Sequence, residues 1–280
     1  MTNILKIEKS ITTLFVRGDS IMKKLIMLSV GFCFLIALGT GGAYATSISG
    51  SNLQDTLDSA TLGPIVGSSS VTVNNIADQV AEGADAYWSN IGSVGADVTF
   101  FMSNAGFANC AVYSNCTTIG IYDAADPSNQ VQFFMGEGDV GQSANVKMIA
   151  SGGGYDVQVN NVSQAIFGGN SFGFYVSTPE GPGYTYYSDT TLNPDSFDKF
   201  IAFGGKGDLL DLPAPASSDV WNSNEYVMAF EDLLNGGDKD YNDMVLYIQQ
   251  ATPVPEPSTI IILGAALLGF ALFRRKDASC

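Results

Sequence analysis

No histidine occurs anywhere in the 280 residues. That absence removes Ser-His and Cys-His catalytic pairs, His-ligated zinc or haem, and any imidazole acid or base near neutral pH. Basic residues are scarce as well, with 12 Lys plus Arg against 28 Asp plus Glu and a pI near 4.1. A nucleic-acid binder needs a basic face to neutralise phosphates, so the balance points to no nucleic acid as partner. What is present is apolar: hydrophobic residues make up 46% of the chain and aromatics 11%. An acidic disordered chain is poor in both, so this one folds.

The two ends read as addresses. Lys23 and Lys24 precede an apolar run from Leu25 to Leu38, and a Gly-rich stretch then ends in Ala43-Tyr44-Ala45. These are the n-region, h-region and small-residue cleavage site of a secretory signal peptide over residues 22–45, for removal by signal peptidase. A short buried helix accounts for neither the lysine pair nor the small-residue site. Residues 1–21 fit poorly as an n-region, so Met22 is the expected initiator, 1–21 a misassigned start, and Thr46 the first mature residue. Cys33 follows Phe32 rather than a small residue, which argues against a lipoprotein site.

At the other end, Pro255-Glu256-Pro257 is followed by Ile260 to Phe273 without a charge and then by Arg274-Arg275-Lys276. Fourteen residues rise about 21 Å as a helix, short of a ~30 Å hydrocarbon core. Snorkelling of the basic cluster and local thinning of the bilayer permit a transmembrane helix nevertheless, with the domain outside. This order of motif, apolar helix and terminal arginines over residues 253–280 resembles the PEP-CTERM sorting signal. The resemblance implies a protein exported through the inner membrane of a Gram-negative bacterium, held transiently at the membrane and processed by an exosortase near Pro255, Glu256 and Pro257. Such systems accompany exopolysaccharide and biofilm matrix. Cys280 is not part of that pattern, and an ordinary C-terminal anchor behind a Pro-rich linker is the alternative.

Residues 46–252 retain four cations, Lys147, Lys199, Lys206 and Lys239, against 24 acids. Such self-repulsion lowers stability unless cations screen it or bind. Short runs rich in β-branched and aromatic residues recur between Gly, Asn, Asp and Ser. They are 97–102, 118–122, 131–135, 146–150, 155–159, 172–176, 184–187, 200–203, 225–230 and 244–248. That spacing predicts one all-β domain, an antiparallel β-sandwich of jelly-roll-like form. Tyr226, Met228 and Phe230 alternate onto one face and Met244, Leu246 and Ile248 onto another, both expected in the core. Apolar pairs at helical spacing occur only at 53–57 and 76–80. Cys110 and Cys116, in an exported chain, are expected to form a disulfide closing a surface loop, with two free thiols as the alternative.

The candidate site is the segment from Glu231 to Asp243, which holds five carboxylates and one lysine. Carboxylates this dense are unfavourable unless solvated or gathered around a cation. Oxygen ligands at alternating positions of a Gly-containing loop suit Ca²⁺. Asp238, Asp240 and Asn242 match the first three ligand positions of an EF-hand loop, but the sixth is Asp243 instead of Gly and the twelfth is Gln249 instead of Glu. An EF-hand is therefore rejected. A hairpin calcium site of Asp238, Asp240, Asn242 and Asp243, completed by Glu231, Asp232 or residues elsewhere, stands against a solvated acidic turn. The stretch Ala229 to Val245 resembles the signature of domain-of-unknown-function family 4114, with upstream support at 172–175, 187–189 and 203–208. The resemblance implies a β-rich surface domain without established activity.

The acids at 123–127 and 137–139 read as turns. Tyr184, Tyr186, Tyr187 and Trp221 offer a sugar-stacking platform or, more simply, core and sheet-surface rings. A glycoside hydrolase using Glu225 and Glu231 requires its two carboxylates about 5–9.5 Å apart. The leading expectation is a non-enzymatic, calcium-stabilised protein of the cell surface or matrix, with a carbohydrate-binding module for exopolysaccharide as the alternative.

Overall fold

The computed structural model describes residues 46–81, 83–90, 95–113 and 115–254. The expected signal peptide, the sorting motif and the transmembrane helix lie outside the described residues. Among those residues no helix is long and apolar enough to cross a membrane.

The chain is mostly β and its sheets are antiparallel. Among the described residues one α-helix, α1 (Asn52–Ala60), is followed by β1 (Thr61–Gly63), β2 (Trp88–Asn90), β3 (Ala96–Ser103), β4 (Thr118–Asp123) and β5 (Asp126–Met135). Then come β6 (Ser143–Ser151), β7 (Gly154–Val159), β8 (Val162–Phe167), β9 (Ser171–Thr178), β10 (Tyr184–Tyr187) and β11 (Phe200–Gly204). The last are β12 (Asp208–Leu210), β13 (Asp219–Trp221), β14 (Tyr226–Phe230), β15 (Met244–Gln249) and β16 (Ala251–Pro253). A seven-stranded sheet runs β11-β14-β15-β3-β6-β7-β8, and a six-stranded sheet runs β16-β2-β9-β4-β5 with β10 also on β9. A small third sheet is β1-β12-β13.

Alternation decides which side chains meet. Phe100, Met228, Phe230, Leu246 and Ile248 from the larger sheet share one buried cluster with Trp88, Ile119, Ile121, Phe174 and Tyr186 from the six-stranded sheet. Met228 lies opposite Leu246 in the β14–β15 pair, so the two apolar sets expected on separate faces share one. The residues between them are buried too. Phe101, Ile201, Phe203, Val227, Val245 and Tyr247 meet Leu53 and Leu57 of α1 together with Val71, Val73, Leu210 and Trp221. The central strands are thus covered on both faces, as in a layered architecture.

The helix expected around 53–57 is present. The one expected around 76–80 is a run of turns, because side chains there bind backbone: Asn75 Oδ1 accepts from Ala77 N at 3.2 Å and Asp78 Oδ2 accepts from Thr72 N at 2.8 Å. Such local bonds compete with helix formation. Cys110 and Cys116 form a disulfide. The acids at 123–127 close the β4–β5 hairpin and those at 137–139 a short 3-10 turn. At the end of the domain β16 pairs with β2, and Val254 N donates to Tyr87 O, so the chain leaves from within a sheet.

Candidate metal centre

β14 and β15 are central neighbours in the larger sheet, with Phe230 opposite Met244. Their register fixes the ends of the connecting loop: Glu231 and Asp232 leave one strand where Asp243 enters the next. The loop between is tightly curled, with positive φ at Asn235, Gly236, Gly237, Lys239 and Tyr241. Gly237 is required there: at φ 44° a Cβ would sit 2.2 Å from Glu231 Oε1. Outside groups hold the curl in place. Ser49 N donates to Lys239 O at 2.7 Å, Asn104 N to Asp243 O at 3.0 Å, and the buried Tyr241 hydroxyl to Asp198 O at 2.6 Å.

This folding brings one carboxylate oxygen each of Glu231, Asp238 and Asp240 within 4.8 Å of one another. Oxygens on opposite sides of a Ca²⁺ ion bound at 2.3–2.6 Å are separated by about 4.6–5.2 Å. The three therefore span the width of one calcium shell.

The remaining acids and the amide have other partners. Asp243 Oδ2 accepts from Asp232 N at 2.9 Å, and Asp232 Oδ2 accepts from the Thr117 hydroxyl at 3.0 Å. Asn242 Nδ2 donates to Asp240 Oδ2 at 2.6 Å, while its Oδ1 accepts from Asn104 at 3.3 Å. Asn52, at the start of α1, also donates to Asp240 Oδ2, at 2.8 Å. Sequence reasoning missed Asn52, Asn104 and Thr117, which come from distant segments and carry no local signal.

Glu231 is the exception. It is 0% exposed and neither side-chain oxygen has a hydrogen-bond donor; Oδ1 of the equally buried Asp232 also lacks one. No lysine pairs with any of these acids among the described residues. Lys199 is buried nearby, but its ammonium binds Asp195 Oδ2 at 3.1 Å and Leu233 O. Lys239 lies over the Phe197 ring at 4.9 Å. Burial first, and then the neighbouring Asp243 carboxylate, push the Glu231 carboxyl up to about 9. Burial and Asp243 likewise raise Asp232 to about 7, and burial raises Asp243 above the usual carboxylate range. With no donor available, Glu231 and Asp243 can approach only by sharing a proton or a cation. The donor set is all oxygen, which fits a hard ion.

Two other sequence expectations are corrected. Trp221 is fully buried in the cluster beneath α1, whereas Tyr186 is fully buried in the cluster between the two large sheets. Tyr184 and Tyr187 are half-buried, with Tyr187 packed edge-on against Tyr122, so the four rings form no common platform. Glu225 and Glu231 lie at opposite ends of β14. The five residues of β14 lie between them, and six steps of extended chain span about 20 Å, too far for a catalytic pair. Glu225 is moreover bound by Asn222, Tyr247 and Gln249.

A mostly-β domain with an acidic hairpin, leading directly into a C-terminal sorting segment, defines the class. Residues 253–276 match the PEP-CTERM protein-sorting motif, which makes the chain an exported protein, transiently anchored in the membrane before exosortase processing. Residues 94–251 match the domain of unknown function DUF4114, more than half of the chain, and the protein belongs to that family. No curated protein and no solved structure matches it.

Proposed function

We propose that the protein is a non-enzymatic component of the surface or extracellular matrix of a Gram-negative bacterium, with a β-sandwich of jelly-roll-like form stabilised by calcium at the β14–β15 loop. Signal peptidase removes the N-terminal leader and exosortase the tail. The observation that carries the calcium reading is Glu231, a fully buried carboxylate with both oxygens lacking a donor, beside Asp238 and Asp240 at calcium-shell spacing. A buried charge is tolerated when it is paired or coordinates a metal. Glu231, Asp238 and Asp240 supply carboxylate ligands, Asp243 adds negative charge behind them, and Asn242, Asn52 and Thr117 orient the cluster. A site of this kind resembles extracellular modules in affinity, with Kd of about 10⁻⁴ to 10⁻³ M.

Calorimetric unfolding of the purified protein in EDTA, in millimolar CaCl₂ and in MgCl₂ of matched ionic strength tests this. A calcium-specific rise in Tm that disappears in Asp238→Ala/Asp240→Ala is expected. Equal effects of the two ions, or an unchanged rise in the double variant, refute a specific calcium site at this loop.

A further inference from the structure

A groove of about 600 Å³ opens beside the disulfide, on the outer face of the six-stranded sheet. Its floor comes from three adjacent strands in register: Thr118 of β4 lies opposite Ser177 of β9 and Met135 of β5, and Gly120 lies opposite Gln132. Asn115 adds another hydrogen-bonding side chain at the rim. The far wall is the turn between β9 and β10, including Pro179, Gly181, Pro182 and Gly183.

The lining carries no charge, in a chain of formal charge −16. The wall contains one acid, Glu180, and it is turned away: its Oε2 accepts from Leu234 N at 2.9 Å. That bond also pins the wall to the loop after Asp232, so the groove is formed before any ligand arrives, which limits the ordering cost of binding. Hydroxyls and amides both donate and accept. They suit a ligand that does the same and bears no charge. Met135, 47% exposed, and the two prolines supply an apolar surface for the C–H faces of a sugar ring. A small-molecule site combines such apolar contact with a few placed polar groups, and 600 Å³ lies within the usual range of ligand clefts.

We infer that this groove binds a neutral oligosaccharide segment, with Gln132 and Thr118 as its hydrogen-bonding floor beside Ser177, whose hydroxyl is held by Tyr184 O and Thr185. An anionic polymer is disfavoured by the charge of the whole protein, and a cation finds no carboxylate in the groove. The site uses none of the hairpin ligands, so it stands apart from the calcium reading.

Affinity electrophoresis of the purified protein tests it, in native gels containing dextran, mannan, galactomannan or xylan, with carboxymethylcellulose as the anionic comparator, each in EDTA and in CaCl₂. Retardation by at least one neutral polysaccharide and none by carboxymethylcellulose is expected. Gln132→Ala removes an exposed amide and weakens binding about fivefold, the usual size for one hydrogen bond. Ser177→Phe fills the groove and abolishes retardation; the exposed Gln132 variant keeps the test decisive should the Phe variant not fold. No retardation by any neutral polymer, or retardation unchanged in Gln132→Ala, overturns the assignment. A calcium-dependent Tm without retardation refutes the groove alone, and retardation without a calcium effect refutes the hairpin reading alone.

Discussion

Replacing Glu231 by Gln separates the cost of its buried charge from its use as a ligand. Without an ion, a carboxyl raised from 4.5 to about 9 holds its proton at pH 7 in the fold and not in the unfolded chain. The folded state then binds more protons, so stability falls as pH climbs from about 4.5 toward 9. At about 1.4 kcal/mol per pH unit, the window up to pH 7 amounts to at most about 3 kcal/mol. Loop relaxation and water entry reduce this to about 1–2 kcal/mol. Gln fills the same volume without titrating and offers two donors to Asp243, Asp238 and Asp240. In EDTA, Glu231→Gln therefore matches the native protein near pH 4.5 and exceeds it in Tm by about 2–8 °C at pH 7, given about 2–4 °C per kcal/mol. In 1 mM calcium this gap closes to near zero, because the native protein gains a calcium increment of about 0.4–1.4 kcal/mol that the variant, lacking the charged ligand, does not. Differential scanning calorimetry at several pH values, with and without calcium, reads both effects. A variant less stable than the native protein by the same margin at pH 5 and pH 7 in EDTA refutes the reasoning, since the carboxylate would then be stabilising without an ion.

Gly237→Ala places a Cβ against Glu231 Oε1 at a positive φ; it lowers Tm in EDTA by strain of about 1–3 kcal/mol and removes the calcium increment by displacing Glu231. Thr117→Val takes the one side-chain donor from Asp232 and costs about 1–3 kcal/mol at pH 7, with a smaller loss at pH 4, where the carboxyl is protonated; urea titration at the two pH values measures the difference. Cys110→Ser/Cys116→Ser opens a six-residue separation and costs about 2 kcal/mol in the chain-entropy account, seen as a lower midpoint in denaturant while the calcium increment is retained.

Ten of the eleven longer strands were legible because β-branched and aromatic residues recur between turn formers, and each of the ten is found within a few residues of its expected place. The three-residue strands β1, β2, β12, β13 and β16 were not, since three residues give no periodicity to read. β8 was missed for a different reason: Val162-Ser163-Gln164-Ala165-Ile166-Phe167 lies at a sheet edge with Val162 and Ile166 exposed, so burial does not dictate its pattern. The same limit applies to faces. Val227 and Tyr247 are as buried as their alternating neighbours, because α1 and the segment around Val71 cover the outer side of the central strands. At the site the acids were visible and their division of labour was not. Alternation suggested Asn242 as a ligand, whereas its amide orients Asp240. The placement of Glu231 depends on the β14–β15 register, a tertiary fact.

Carboxylates elsewhere show why this hairpin is set apart. Asp123 accepts from the N–H groups of Ala125 and Gly168, Asp195 binds Lys199, and Asp78 binds Lys206. Each is compensated within the fold, and a cation adds little beyond screening there. Glu231 lacks such compensation, and it sits at the end of the β14–β15 pair beside the buried Asp243, so their repulsion bears on the junction of these two strands. For a Kd of about 10⁻⁴ to 10⁻³ M, 1 mM calcium contributes about 0.4–1.4 kcal/mol. That is close to the penalty of about 1–2 kcal/mol for burying the carboxylate. The ion and the buried charge thus nearly cancel. On the proposed calcium reading, the domain is expected to fold in EDTA and to gain Tm gradually as calcium rises, in contrast to a zinc finger, whose fold depends outright on its metal.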